Sequence, residues 1–274
     1  MGSVTVTAKK LLEDAVKKSG RRSTVQLAEE FARIQKPGDT STGLSNLFAK
    51  GEASMKLYLT LLMLTRQPAG QIRNAVRYTT ADVVPHELFR VLPDHYWAEL
   101  LGYEELNEAD PIPGKGTRRI KRAMAALEKT GLEGTNWISR TKKPGRGAQI
   151  SVVHPPAPTR APWITIPLEL WSRGWINVMS ARALFVYLCL RLVLAGKPDD
   201  QGAHISSWDR ERFAIKEDTW QRGINELEAL KLVSSEIARV AVDRWSTDLR
   251  KRKVYYLNSA FLRDNDSPLK PVSR

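Results

Sequence analysis

Two stretches, Ser54-Met-Lys-Leu-Tyr-Leu-Thr-Leu-Leu-Met-Leu64 and Ser180-Ala-Arg-Ala-Leu-Phe-Val-Tyr-Leu-Cys-Leu190, read as one apolar helix occurring twice, 126 residues apart. Each opens on Ser, a residue suited to cap a helix N-terminus. A second repeat lies further on: Ile120, Met124 and Leu127 stand 100 residues before Trp220, Ile224 and Leu227, Leu127-Glu128 returns as Leu227-Glu228, and Arg122 as Arg222. A repeated order of elements says more about the fold than either copy alone. Because the offsets differ by 26, the upstream copy is longer between its two helices, and Gln71 to Pro113 reads as an insert.

A strand-turn-strand pattern follows each second helix. Upstream it runs Asn136 to Thr141, a Pro- and Gly-containing turn from Lys142 to Gly147, then Gln149 to Val153. Downstream it runs Glu236 to Val242, a tip from Asp243 to Arg252, then Lys253 to Leu257. β-branched runs broken by turn residues are the signature of a hairpin. Both hairpins are basic, through Arg140, Lys142, Lys143 and Arg146 in the first and Arg244, Arg250, Lys251 and Arg252 in the second.

This order of helix, short elements, helix and basic hairpin, seen twice, resembles the winged-helix variant of the helix-turn-helix family. The resemblance covers residues 53–154 and 163–262, and tandem winged helices look like bacterial transcription regulators and plasmid replication initiators. It implies a mainly α fold with small β-hairpins (α+β), two winged-helix domains in tandem after a small helical N-terminal region. The boundaries expected are 1–52 for that region, 53–154 for the first winged helix with its insert at 71–113, 155–162 for a linker, 163–262 for the second winged helix, and a flexible tail at 263–274. The linker rests on the prolines between Pro155 and Pro162, which favour an extended spacer. In the N-terminal region, Ala8 to Ser19, Thr24 to Gln35 and Thr42 to Lys50 read as helices, the last two a helix-turn-helix candidate with an overlong loop.

Composition narrows the function. Among 274 residues, 43 Lys and Arg face 30 Asp and Glu, a net charge of +13 that favours polyanions. Lys115 to Arg146 concentrates ten basic residues with only Glu128 and Glu133 between them, whereas a merely solvated face would interleave both signs. The one cysteine, Cys189, allows no internal disulfide, and four scattered His offer no metal-ligand spacing, so the reading expects a reducing cytoplasm, with nucleoid or plasmid association, and no metal or cofactor. The most apolar run, Ala183 to Leu190, is far shorter than the roughly 20 residues of a membrane span.

On a wheel of 100° per residue, a helix from Thr117 to Thr130 turns Ile120, Ala123, Met124 and Leu127 inward and Arg118, Arg122, Ala125 and Lys129 outward, with Arg119 and Lys121 on the shoulders. A helix fits the major groove, where Arg donates twice to guanine; Arg118 and Arg122 are the base readers expected, and Thr117 the helix cap. Lys129, Arg140, Lys142, Lys143 and Arg146 suit phosphates, which position the protein without reading sequence. The downstream helix, Glu217 to Leu230, buries Trp220, Ile224 and Leu227 and offers Gln221, Arg222 and Asn225 to base edges, with Arg244, Arg250, Lys251 and Arg252 on its wing; Asp218 and Glu226 oppose that role.

Among the tryptophans, Trp245 alone reads as exposed. Gly114-Lys-Gly-Thr117 lacks the Gly-Lys-Ser/Thr pattern of a phosphate loop, and Tyr255-Tyr256 lacks the His partners of a nicking enzyme, so no catalysis is expected. The function expected is sequence-specific binding of double-stranded DNA by a transcriptional regulator. The alternatives are a replication initiator at repeated origin sites of a plasmid or mobile element, and a winged-helix protein-interaction module. The insert at 71–113, aromatic at Tyr96, Trp97 and Tyr103, is the surface expected for a homodimer or protein partner.

Overall fold

A computed structural model describes residues 6–34, 38–65, 85–88, 93–103, 114–129, 131, 136–141, 149–155, 162–241 and 249–268. The elements run α1 (Val6–Ser19), β1 (Thr24–Ala28), a single 3-10 turn (Glu29–Phe31), α2 (Gly43–Ala49), α3 (Glu52–Leu64), β2 (Pro85–Leu88), α4 (Asp94–Leu100), α5 (Lys115–Leu127), β3 (Ile138–Thr141), β4 (Gln149–Val153), β5 (Trp163–Pro167), α6 (Glu169–Ser172), α7 (Trp175–Val178), α8 (Ala181–Val193), β6 (Ala203–His204), α9 (Ser207–Arg212), α10 (Glu217–Ala229), β7 (Val233–Ala241), β8 (Leu249–Leu257) and α11 (Ser259–Asp264). The fold is mixed α and β, with helices predominating around small antiparallel sheets.

The two apolar stretches become α3 and α8. Every residue from Ala53 to Met63 is buried, as is every residue from Ala183 to Leu190, because apolar side chains all round a helix require neighbours on every side. Ser180 caps α8 by accepting from the Ala183 N–H. Ser54 does not cap α3: the helix starts earlier, behind Gly51 at φ +90°, and the Ser54 hydroxyl donates to the Lys50 carbonyl at 3.0 Å. Gly supplies a left-handed turn that a Cβ would strain.

The three-stranded sheets share one order, β2-β4-β3 and β6-β8-β7, all antiparallel. Helix, strand, two helices and hairpin therefore occur in sequence twice, as α3, β2, α4, α5, β3–β4 and as α8, β6, α9, α10, β7–β8. Part of the expected insert is thus no insert, since β2 and α4 correspond to β6 and α9. Residues 71–84, 89–92 and 104–113 lie outside the described ones. Trp97 is fully buried and Tyr96 and Tyr103, partly buried, pack on the core, so these rings hold α4 in place.

The helix expected over Thr24 to Gln35 is instead a strand, Thr24–Ala28, and a 3-10 turn, Glu29–Phe31, which removes the N-terminal helix-turn-helix candidate. β1 pairs antiparallel with β5, Val25 opposite Ile166 and Leu27 opposite Ile164, all four buried. Val25 and Leu27 alternate with Gln26, and that two-residue period fits a sheet face better than a helix stripe. The N-terminal region is therefore joined to the downstream half. On its other side, Arg21 donates to the Leu62, Met63 and Thr65 carbonyls and so closes the C-terminus of α3. One core cluster runs from Ala8 in α1 to Leu262 in α11. Among the described residues, no helix is long and apolar enough to cross a membrane.

Candidate nucleic-acid interface

α5 carries out the division the wheel predicts. Ile120, Ala123, Met124 and Leu127 are buried, while Arg118, Lys121, Arg122 and Ala125 are exposed; the helix ends at Leu127 and not at the expected Thr130, so Lys129, also exposed, lies two residues beyond it. Arg118, Lys121, Arg122 and Lys129 have neither a side-chain hydrogen bond nor an ion pair among the described residues. Acids near them are already engaged: Glu52 takes Lys56 at 3.0 Å and Arg119 at 3.5 Å, and Glu128 takes Arg140.

Three expected contacts are placed differently. Thr117 is buried and is not the cap, because α5 begins two residues earlier behind Gly114, which puts Thr117 three residues ahead of Ile120 on the inward stripe. Arg119 lies over the Tyr103 ring at 4.1 Å and pairs with Glu52, so it ties α5 to α3 and to the end of α4. Arg140 ties β3 to the end of α5 through Glu128. Lys142, Lys143, Arg146 and Arg244 lie outside the described residues, as does Trp245.

The downstream helix α10 buries Trp220, Gly223, Ile224 and Leu227. Outward, Gln221 donates to Asn225 at 2.7 Å and Arg222 to Asp218 at 3.0 Å. These are one-turn pairs on the same face, made through Arg222 Nε and Gln221 Nε2. Glu226, expected to oppose DNA, faces inward: its carboxylate accepts from the Ser180 N–H at 2.7 Å and hydroxyl at 2.6 Å, at the positive end of α8.

The downstream hairpin is longer than its sequence pattern. Arg250, Lys251 and Arg252 belong to strand β8 and not to a tip, and only 242–248 remain between the paired strands. Towards that turn β8 is exposed from Leu249 to Arg252, while β7 alternates exposed Ile237 and Arg239 with half-buried Ala238 and Val240; Ile237 is 76% and Leu249 58% exposed. Arg239 stands opposite Lys251, a like-charge pairing that costs stability unless an anion lies across it. The sequence pattern does not single out Arg239, because its place emerges only with the register.

A cleft of about 320 Å³ opens between the copies, lined among others by Phe48, Glu52, Arg182, Asp218, Thr219 and Arg222. α10 lines it through Asp218, Thr219 and Arg222, and α5 is tied to its Glu52 wall by Arg119 at 3.5 Å. Arg182, in the first turn of α8, has no ion pair among the described residues. At the matching position, 126 residues earlier, stands Lys56, which is fully buried. Its ammonium donates to the Asn177 carbonyl at 2.9 Å and contacts Glu52; burial lowers its pKa and Glu52 partly offsets that. Arg182 is thus a candidate that helix periodicity could not single out. Trp208, expected inside, is 60% exposed and stacks with Arg212 at 4.8 Å.

Comparison with protein-family models gives no match for this chain, and comparison with curated proteins gives no significant match.

Proposed function

We propose that this chain is a sequence-specific, double-stranded DNA-binding protein built as tandem winged helices, and that it regulates transcription. One observation carries the reading: α5 presents Arg118, Lys121 and Arg122 from a single solvent face, with Lys129 exposed two residues beyond its end, all without internal partners among the described residues, on a helix whose opposite face is buried. Four cations so placed repel one another in the free protein and are relieved by a polyanion. A helix also has the width the major groove admits. The like order of the two sheets supports the winged-helix part, with each hairpin as a wing beside its helix.

In this reading Arg118 and Arg122 read bases, Lys121 and Lys129 hold phosphates, and α10 reads through Gln221, Arg222 and Asn225. Arg250, Lys251 and Arg252 lie along the backbone beside it. No catalytic residue is assigned.

The test is selection of purified protein against genomic fragments and random duplexes at physiological salt. One enriched motif, lost in an R118E/R122E variant, is the result expected, and its position at a promoter marks a regulator. Repeats at an origin replace transcription with replication. Binding without a motif replaces both with an architectural role, and no binding leaves protein docking.

A further inference from the structure

By sequence, the two repeated units are joined by a proline-rich spacer between Pro155 and Pro162, the arrangement of two tethered heads. The packing is of another kind. β1, which precedes the first unit, pairs along its whole length with β5, which opens the second. Phe48 meets Phe185 edge to face with centroids at 5.4 Å. The buried Lys56 ammonium of α3 donates to the Asn177 carbonyl of α7, and Asn177 Nδ2 donates to the Leu100 carbonyl at the end of α4. Trp171 Nε1 donates to Thr60 Oγ1 at 3.1 Å. The Ile34 N–H donates to the Arg212 carbonyl at 2.8 Å, reaching α9 from the N-terminal region. Separating the units strands each of these polar groups and exposes the shared core.

Resting on the DNA-binding reading, we propose that the substrate is one uninterrupted duplex site of fixed length and fixed helical phase, read by α5 and α10 as parts of a single rigid body. The cleft supports this, since Asp218, Thr219 and Arg222 of α10 line it and Arg119 of α5 pairs with its Glu52 wall, so one fixed surface links the early turns of both helices. Tethered heads tolerate a spacer lengthened by a whole turn, because a linker converts added distance into a modest loss of effective concentration. A fused body does not: one added turn moves half of the site by about 34 Å, which no side-chain motion spans.

The experiment takes the site selected by the full chain and inserts 1, 5 or 10 base pairs between its two protected halves. Every insertion, the 10-base-pair one included, is expected to lower affinity to that of an isolated half-site. Retention within about threefold after 10 base pairs, with loss after 5, overturns the inference and leaves DNA binding intact. Failure of the intact chain to select any duplex overturns the DNA reading and this inference with it. A second arm replaces residues 156–161 by a protease site and cuts it. The fragments are expected to co-elute and to bind the uninterrupted site as the intact chain does; fragments that separate overturn the single-body premise.

Discussion

The Arg140 guanidinium forks onto the Glu128 carboxylate, Nε to Oε1 at 2.8 Å and Nη2 to Oε2 at 2.5 Å, and so fastens strand β3 to the residue that closes α5. Glu128 sits at the helix C-terminus, where a carboxylate opposes the dipole, and Arg140 offsets that. The Arg140 hydrogen bond holds the Glu128 carboxyl below its ordinary pKa. The pair's contribution is therefore complete above the usual carboxylate range and is lost as the pH falls through Glu128's depressed value. Arg140→Ala should cost about 1 kcal/mol at pH 7, as a partly exposed forked pair does. Urea unfolding at pH 7 and pH 3 checks this, with the difference from the parent protein shrinking at pH 3. Salt dependence of DNA binding should hardly move.

Arg118 and Arg122 should behave in the opposite way. Both are exposed and unpaired among the described residues, so Arg118→Ala and Arg122→Ala should leave stability within about 0.5 kcal/mol of the parent. On the selected duplex each should cost about 1 to 3 kcal/mol and relax preference at one base position. Competition titrations with single-base variants of the site read both effects. An equal loss on every sequence would make these side chains phosphate contacts only.

Periodicity made α3, α5, α8 and α10 legible, because each carries an apolar pattern long enough to outvote its neighbours. β1 was not, since Val25, Leu27, Phe31 and Ile34 satisfy a helical stripe and a short strand alike; what decides is β5, whose Ile166 pairs with Val25 from 141 residues away, and no local pattern encodes a partner. The exposed cations of α5 were legible for the same reason as its core. The fates of Arg119 and Arg140 were not, because an ion pair with Glu52 or Glu128 depends on which elements meet. Arg182 was hidden because its own helix is apolar.

Asp218 neutralises Arg222 across one turn of α10 in the free protein. Asp218→Asn removes a carboxylate from the path of the phosphates and releases Arg222. Affinity should rise about three- to tenfold at low salt, and the gain should shrink as salt screens it. Arg182→Gln should weaken binding about equally on all sequences and lower the log-log salt slope by about 0.9, the value for one phosphate contact. A reduced slope in the Asp218 variant, or an unchanged slope in the Arg182 variant, would remove the cleft from the interface.

Gly223 marks the close approach of α10 to α8. A Cβ built there lies 2.6 Å from Val186 Cγ2 and 3.0 Å from the Arg182 carbonyl, and the second of these is backbone. Gly223→Ala gains helix propensity but forces the helices apart, and the overpacking should win, with a net loss of about 1 to 3 kcal/mol. Thermal unfolding measures it. DNA affinity should fall too, since α10 moves relative to α5; Gly223→Ala with Val186→Ala should recover part of both.

Lys56 tests whether the junction between the units is as dry as its burial implies. Its ammonium is buried, its pKa is lowered by that burial, and it meets the Asn177 carbonyl, Glu52 and the Tyr103 ring. A lysine whose folded pKa lies below its ordinary value binds fewer protons in the folded chain than in the unfolded one over the interval between the two. Stability should therefore rise with pH from Lys56's folded pKa up to about 10.4, the unperturbed value. Lys56→Met removes that rise. It leaves the Asn177 carbonyl without a donor, at about 1 to 3 kcal/mol, and also removes the burial of a charge, so the net change at pH 7 should be small. Urea unfolding between pH 7 and 10 should show the parent protein gaining on the variant as pH rises. A constant difference across that interval would mean that water reaches the Lys56 ammonium and that the junction is open.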